Sequence, residues 1–234
     1  MPSCALSHPW DLTPRAAREL QESLVSRVRV ARLTKPVRTI AGVDVSMKGP
    51  AGRAAVVVLA WPALKPVRHV AVEAEVAWPY VPGLLAFREI PLILRALKQL
   101  DTMPDVIMTD GHGRAHPRRF GLACHLGVLL DVPTLGVAKR RYVGVHEMPG
   151  SEKGDHEPLV DPRTGEILGA AVRTRSKVSP VYVSCGHAIT LKESIKFTVR
   201  CAVRYRVPEP TRLAHLESRR WSVTSTKGSK LNVQ

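Results

Sequence analysis

The chain has 234 residues, with 35 Lys and Arg against 20 Asp and Glu, so its formal net charge is +15. A hydrophobic content of 44% suffices for a sizeable core and excludes a disordered basic tail. No apolar stretch approaches the roughly 20 residues of a membrane span, and the N-terminal region lacks the pattern of a secretory signal. We therefore expect a cytoplasmic protein with no membrane partner, whose basic surface binds nucleic acid.

The predicted elements alternate between strands and helices along the chain. A helix is expected over residues 12–31, with Thr13 as its cap and Pro14 in its first turn. The next elements are strands at 39–45, 54–61 and 67–76, and a helix at 84–100 that Pro91 kinks or restarts. They are followed by a strand at 105–109, a helix at 120–130, a strand at 134–138, an exposed loop or hairpin tip at 147–165, strands at 167–174 and 181–184, and helices at 191–203 and 211–220. This order predicts an α/β protein with a central mixed sheet flanked by helices. We expect one domain over residues 1–221 and a polar, flexible tail at 222–234.

Two acidic residues stand where apolar strand residues would be expected. Asp44 lies within the run IAGVDVS, and Asp110 ends the run VIMTD just before GHG. Ligand sites of α/β sheets are commonly built at such strand ends. Each Asp alone could be a turn cap, but two converging carboxylates would repel each other unless a cation lay between them. Oxygen ligands of this kind suit Mg²⁺ or Mn²⁺.

Three further residues could take part in the same chemistry. Glu89 could be a third metal ligand, a group that orients water, or an exposed helical residue. Lys139 follows an apolar strand, where it could neutralise a phosphate or belong to a basic face. His215, near the start of the last predicted helix, could move a proton, position water, or serve no chemical role.

The segment WPYVPG at 78–83 places an aromatic residue between two prolines. Prolines restrict the backbone, so this loop is stiff and poorly suited to a helix or a central strand. Tyr80 could therefore wedge between the bases of a nucleic acid, or anchor the loop on the core. Basic residues are concentrated in the middle of the chain, where they could bind phosphate or face solvent. They are Arg114, Arg118, Arg119, Lys139, Arg140 and Arg141.

The four cysteines form no CxxC pair, so neither a zinc ribbon nor a disulfide framework is expected: Cys4, Cys124, Cys185 and Cys201. Cys124 and His125 are adjacent on a predicted helix. Neighbours on a helix do not face each other, which argues against a catalytic dyad.

Taken together, these segments resemble the endonuclease V family, the inosine-directed nucleases. The resemblance spans roughly residues 12–220 in collinear order, through AGVDVS, PYVPGLLAFREIP, VIMTDGHGRAHPRRFGLACHLGV, VPTLGVAKRRYVG, PVYVSCGHAI and VPEPTRLAHLES. Two departures are small. Cys185 stands where the family usually has proline, and Val81 stands in a PYIP-like motif.

The resemblance implies a ribonuclease-H-like fold and a Mg²⁺-dependent endonuclease of DNA repair, with Mn²⁺ able to substitute. Such an enzyme cuts the second phosphodiester bond 3′ to deoxyinosine and leaves a 3′-hydroxyl and a 5′-phosphate. Residues that match the family's catalytic positions are Asp44, Glu89, Asp110, Lys139 and His215, the three acids being the metal ligands. Tyr80 matches the strand-separating wedge. Residues in segments that resemble the pocket for the flipped base are Gly83, Leu85, Gly111 and His116.

Three alternatives stay open at this point. The substrate could be inosine in single-stranded RNA, because some relatives within the family prefer it. The chain could be a nucleic-acid-binding protein without catalysis, although the full set of five catalytic positions argues against this. It could also be a nuclease of related fold that cuts DNA junctions. We expect a monomer, because no coiled-coil pattern or large apolar stripe is visible in the sequence.

Overall fold

A computed structural model of the protein describes residues 5–221; the predicted tail at 222–234 lies outside the described residues. The elements in chain order are α1 (Pro14–Leu24), a 3₁₀ turn (Val25–Arg27), β1 (Thr39–Lys48), β2 (Ala51–Ala60), β3 (Lys65–Glu75), α2 (Leu85–Leu97), β4 (Val106–Thr109), α3 (Leu122–Leu130), β5 (Thr134–Ala138), β6 (His156–Val160), β7 (Ile167–Val172), β8 (Val181–His187), α4 (Leu191–Cys201) and α5 (Glu209–Ser218).

The eight strands of the described region form one sheet in the order β3-β2-β1-β4-β5-β8-β7-β6. Strands β1, β4 and β5 run parallel to one another. The other neighbouring pairs are antiparallel. The carboxyl ends of the three parallel strands consequently meet at one edge in the middle of the sheet, which is the usual place for a ligand site.

Helices cover both faces of this sheet. One face packs against α2 and α3, whose Ile90, Ile93 and Leu126 join Ala41 and Val43 of β1 in a common apolar cluster. The opposite face packs against α4 and α5 in a second cluster that contains Phe197, Ala214 and Ile40. Alternate residues of β1 therefore enter different cores, which is why this strand is an almost continuous apolar run. The predicted α/β class, a mixed sheet flanked by helices, is confirmed.

Helix α5 lies unusually close to β1. A Cβ atom on Gly42 would stand 1.9 Å from the carbonyl oxygen of Pro210, so only glycine fits at this crossing. The sheet and the last helix are thereby held at backbone contact. This close approach brings the side chains of α5 onto the middle of β1.

Three predictions differ from the structure. Helix α2 continues through Pro91 as one element, so the helix does not restart there. The first helix begins at Pro14, with the Thr13 hydroxyl accepting from the amide of Ala16, but it ends at Leu24 instead of residue 31. The β-branched residues that follow favour an extended chain. The loop expected at 147–165 contains the edge strand β6 (His156–Val160), paired antiparallel with β7. An edge strand tolerates Pro158, because one side of its backbone needs no hydrogen-bond partner.

The interpretation of one domain over residues 1–221 stays a prediction. Within residues 5–221, no helix is long and apolar enough to cross a membrane. The cysteines in this range are free and buried, which agrees with the expectation that they form no disulfide: Cys124, Cys185 and Cys201. Cys185, at the position where proline was expected, packs inside the second apolar cluster.

Candidate active site

The two predicted aspartates meet at the edge formed by β1 and β4. The parallel register pairs Val43 with Thr109, so the next residue of each strand is one of the two acids. His215, on α5, joins them from above the sheet, with its Nδ1 atom 3.3 Å from Oδ2 of Asp44. One ligand atom from each of Asp44, Asp110 and His215 lies within 4.8 Å of the others. Such a group of two carboxylates and an imidazole is able to hold a divalent cation.

Asp44 is nearly enclosed, with its side chain 11% exposed. The pKa of Asp44 is raised above its ordinary value, mainly by burial and also by the negative charge of Asp110. The hydrogen bond from Ser218 opposes this rise. The Ser218 hydroxyl donates to Oδ2 of Asp44 over 2.6 Å. Ser218 escaped the sequence analysis because a serine near a helix end has no distinctive signal. Its position one helical turn after His215 was the only available clue.

Lys139 lies immediately after β5, beside β4 in the sheet. Its Nζ atom forms an ion pair with Oδ2 of Asp110. The lysine side chain is 42% exposed, so it reaches both the carboxylate and the solvent at this edge. From the sequence alone, Lys139 could neutralise a phosphate or belong to a basic face. The contact with Asp110 places the ammonium group at the candidate site.

Glu89 lies on the first turns of α2 and is partly buried. Burial, followed by the negative charges of Asp44 and Asp110, raises the pKa of Glu89 to about 8. Its carboxyl group therefore faces the two aspartates. It is not among the three residues whose ligand atoms converge, a set that contains His215 instead. The assignment of Glu89 as a metal ligand stays a prediction.

A cavity of about 260 Å³ opens beside the acid cluster. It is lined by the four residues predicted for the base pocket, Gly83, Leu85, Gly111 and His116, and by Tyr80. Other lining residues are Gln21, Pro82, Ala86, His112, Gly121, Leu122, Arg140, Arg141 and Tyr142. Gly111 directly follows Asp110, so the cavity and the acid cluster share one loop. The structure thus brings together all the residues predicted for the pocket.

Hydrogen bonds converge on one carbonyl oxygen at the mouth of this cavity, that of Gly83. It accepts from Arg118 Nη2 at 2.8 Å, from Gln21 Nε2 at 3.2 Å, and from Nε2 of His116 at 3.1 Å. Nδ1 of His116 in turn accepts from the amide of Arg118. These partners fix the neutral Nε2–H tautomer of His116. Burial, with the charge of Arg118 next in importance, lowers its pKa to about 4.

His112 is a pocket residue that the sequence analysis did not select. Burial lowers its pKa to about 4, so the ring is neutral at neutral pH. Within residues 5–221, its buried Nδ1 atom has no hydrogen-bond partner. The ring of Tyr142 lies 5.8 Å away, centroid to centroid. The position of His112 between two glycines was the available signal, because GHG follows Asp110 directly.

Tyr80 stands on the stiff segment at the rim of the cavity, with 67% of the residue exposed. Arg88 holds this segment by donating to the carbonyl oxygen of Trp78 over 2.6 Å. The neighbouring Trp78 and Val81 pack on a small cluster with Phe87. The segment is therefore anchored through residues other than Tyr80. Its aromatic ring is free to contact a ligand.

Besides Arg118 and Lys139, the central basic residues divide into two groups. Arg114 and Arg119 form ion pairs with Glu166, and Arg119 also pairs with Asp161. Their positive charges are therefore neutralised within the protein. Arg140 and Arg141 are exposed and line the cavity. The phosphate-binding role that the sequence left open therefore fits the second group best.

Comparisons with known proteins point to one family. A family model described as Endonuclease V matches residues 22–216. An endonuclease V of Roseiflexus sp. (strain RS-1) is 46% identical over 210 residues, which cover 90% of this chain and 94% of that protein. The crystal structure of endonuclease V from Streptomyces avermitilis has a TM-score of 0.85 at 42% identity and covers 92% of this chain and 95% of that one.

A third similar structure contains nucleic acid. It is an endonuclease V variant from Ciona intestinalis in complex with a 23mer DNA that contains an inosine followed by a ribo-adenosine. Its TM-score is 0.78 at 29% identity, with 89% of this chain and 97% of that one covered. These structural neighbours have a ribonuclease-H-like fold, which confirms the fold expected from the sequence.

Proposed function

Because the chain belongs to the endonuclease V family, we propose that it is a metal-dependent endonuclease of DNA repair. Its substrate is DNA that contains deoxyinosine, the product of adenine deamination. It hydrolyses the second phosphodiester bond 3′ to this lesion and leaves a 3′-hydroxyl and a 5′-phosphate. It works as a monomer in the cytoplasm.

The observation that carries the proposal is the convergence of Asp44, Asp110 and His215 within 4.8 Å. The negative charge of Asp110 is one of the causes that raise the pKa of Asp44, so the second carboxylate makes ionisation of the first less favourable. Their oxygen atoms fit Mg²⁺, and the added imidazole nitrogen also fits Mn²⁺. A divalent cation there would offset this negative charge and polarise the scissile phosphate.

The side chains around the acids suit hydrolysis of a phosphodiester. Water adds to phosphorus, the bond from phosphorus to the 3′ oxygen breaks, and that oxygen leaves with a proton. His215, 41% exposed and fixed by Asp44, is placed to accept or deliver a proton. Glu89, whose buried carboxyl group lies beside Asp44 and Asp110, is placed to orient the water. Lys139 neutralises phosphate charge from the Asp110 side.

The cavity supports recognition of a base that has left the stack. Hypoxanthine carries a carbonyl acceptor and an N1–H donor on the edge that distinguishes it from adenine, and this edge is exposed only when the base is flipped out. Neutral rings and backbone groups read such an edge well. His112, whose Nδ1 atom has no hydrogen-bond partner within residues 5–221, and the backbone groups at 83–85 provide them, while His116 holds the carbonyl oxygen of Gly83 in place. Tyr80 at the rim fills the space that the flipped base vacates.

Two end-labelled substrates test this proposal: a DNA duplex and a single-stranded RNA, each with one inosine. We expect cutting of the DNA one nucleotide beyond the lesion, with Mg²⁺ and not with EDTA. A strong preference for the RNA would assign the same site to turnover of inosine-containing RNA. Cutting of a DNA junction that contains no inosine would show that the protein recognises the shape of the DNA and not the lesion.

The variant Asp110→Asn separates binding from catalysis, since it keeps the shape of the side chain and removes its charge. We expect it to bind the inosine duplex and to leave the strand intact. The variant Asp101→Asn is a matched control, because Asp101 is an exposed residue outside the acid cluster. Full activity of Asp110→Asn would contradict the proposed metal site. Absence of cutting by the unmodified protein, with binding retained, would favour a non-catalytic nucleic-acid-binding protein.

A further inference from the structure

Helix α4 presents a row of basic side chains to solvent. Lys192, Lys196 and Arg200 follow one another at four-residue intervals, and all three are exposed. Residues at this spacing share one helix face and are separated by about 6 Å along the axis. The opposite face is buried in the protein through Ser194, Phe197, Thr198 and Cys201. The row is therefore fixed in position by the packing of the helix.

A second basic run lies in the extended segment that leads into β1. Residues 27–38 contain five basic residues and no acidic one: Arg27, Arg29, Arg32, Lys35 and Arg38. All five are exposed. Arg29 forms an ion pair with Asp131, so its charge is used within the protein.

Contacts near both ends of α4 hold this segment beside the helix. The amide of Leu33 donates to Oε1 of Glu193 over 3.0 Å, in the first turn of α4. At the other end, the amide of Trp61 donates to the carbonyl oxygen of Arg38 over 2.7 Å. The guanidinium of Arg200 lies 5.0 Å from the centre of the Trp61 ring. The two basic runs consequently form one surface.

We call this the α4 surface, and its members are Arg32, Lys35, Arg38, Lys192, Lys196 and Arg200. None of these six side chains forms an ion pair with another residue of the 5–221 range. The nearby acids have other tasks. Glu193 completes the capping box of α4 and is stabilised in its charged form by that box and by Arg32. Asp105 accepts the amides of Arg38 and Thr39. The positive charge of the surface is therefore available to a partner.

The α4 surface is separate from the candidate active site. Asp105, which accepts the amide of Arg38, precedes β4, whereas Asp110 follows the same strand. Five residues of extended chain span about 16 Å. The helix that carries His215 is α5, which packs on β1 and β2, while α4 packs on β7 and β8. A ligand in the acid cluster does not reach the α4 surface unless it is an extended polymer.

We propose that the α4 surface is a second, sequence-independent contact for the phosphate backbone of nucleic acid. Regularly spaced cations on a fixed helix match a polymer with regularly spaced anions, and each contact releases counterions. The ring of Trp61, which lies at this surface, packs against Arg200 and Phe197. The surface consequently binds phosphates and leaves the bases unread.

Binding of undamaged DNA in EDTA tests this site without any cleavage. The double variant Lys192→Gln/Lys196→Gln removes two charges from exposed positions. On a duplex of about 40 base pairs, we expect the slope of log K against log salt to become shallower by about 2, roughly 0.9 per lost phosphate contact. On a duplex of about one helical turn, which cannot occupy both sites, we expect a much smaller change.

The matched control is Arg95→Gln/Lys98→Gln, which removes two exposed charges near the end of α2 on the other face of the sheet. It should leave the salt slope close to that of the unmodified protein. Equal slopes for the α4 variant and the unmodified protein on the long duplex would overturn the proposal. The proposal would also be overturned if the unmodified protein bound phosphatidylserine vesicles tightly, the double variant lost this binding, and DNA binding were the same for both. That result would point to a membrane surface as the partner. Neither outcome depends on whether the protein cuts inosine-containing DNA.

Discussion

The hydroxyl of Ser218 donates a 2.6 Å hydrogen bond to the same carboxylate oxygen of Asp44 that Nδ1 of His215 approaches at 3.3 Å. Ser218 is completely buried, so no water competes for this bond. The hydrogen bond favours the ionised form of Asp44, against the burial that raises its pKa. Ser218 therefore favours the charged form of an enclosed aspartate, which is the form that a bound cation would need.

Replacing Ser218 by Ala should weaken the use of metal. A hydrogen bond to a charged group contributes about 1.5 to 3 kcal/mol, so its loss lets protons compete better for Asp44. We expect the Mg²⁺ concentration for half-maximal cutting to rise about tenfold, with a smaller effect at saturating metal. Ser194→Ala is the control, because this buried serine also lies in a helix and donates to the carbonyl oxygen of Thr190. Equal metal requirements in both variants would argue against the role given to Ser218.

Tyr80→Ala should reduce the preference for inosine over adenine. Stacking of an aromatic side chain on a base contributes about 1 to 3 kcal/mol, so we expect about a tenfold or greater loss in affinity for the inosine duplex. Tyr80→Phe should keep most of the affinity, because the ring is retained. Tyr205→Ala removes an exposed tyrosine from another loop and should have little effect on discrimination. If Tyr80→Ala discriminates as well as the unmodified protein, the wedge assignment is wrong.

The strand alternation and the unusual polarity of Asp44 and Asp110 made most of the sheet and its acids predictable. The acids could be found because each is a local exception in an apolar run. Ser218 could not, because its role depends on a contact between residues far apart in the chain, made by the approach of α5 to Gly42. The choice between Glu89 and His215 as the third member of the ligand group depends on the same helix position. The spacing of residues along the sequence does not reveal where α5 lies relative to the sheet.

Edge strand β6 shows a different limit. Pro158 and the glycines around it indicate a loop by every local rule. Pairing with β7 overrides these preferences, because Pro158 lies on the outermost strand, where one side of the backbone needs no partner. Local composition therefore identified the hairpin region and missed one of its strands.

Acidification should destabilise the protein through His116. Its pKa is about 4 in the folded state and about 6.5 in an unfolded chain, so the unfolded state binds the proton first. The stabilisation is fully present above about pH 6.5 and is lost as the pH falls towards 4. For this group, the free energy of unfolding should fall by about 2 kcal/mol between about pH 7 and pH 5. Urea unfolding at several pH values measures this loss.

The comparison that isolates His116 is the variant His116→Gln, which cannot take up the proton. Its stability should fall less steeply with pH than that of the unmodified protein over the same range. His156→Gln, at an exposed position, should keep the original pH dependence. Parallel curves for the unmodified protein and His116→Gln would show that another group causes the acid sensitivity.

Gly42→Ala should move His215 and Ser218, on α5, away from Asp44 and Asp110 at the sheet edge. None of these four side chains is itself changed. The new Cβ would stand 1.9 Å from the carbonyl oxygen of Pro210, so α5 must move away from β1. His215 and Ser218 move with α5, and a displacement of about 1 Å is enough to slow a reaction about 100-fold. We expect a loss of cutting of this size, together with about 1 to 3 kcal/mol of stability from overpacking.

Gly52→Ala is the control, because a Cβ at this strand position would first meet Cγ2 of Val76, a side-chain end that is able to rotate. It should cost stability and leave the rate of cutting nearly unchanged. Circular dichroism confirms that both variants are folded at the assay temperature, and single-turnover cutting measures the rate. A Gly42→Ala protein with the original rate would mean that the backbone contact between β1 and α5 does not set the geometry of the acids and His215.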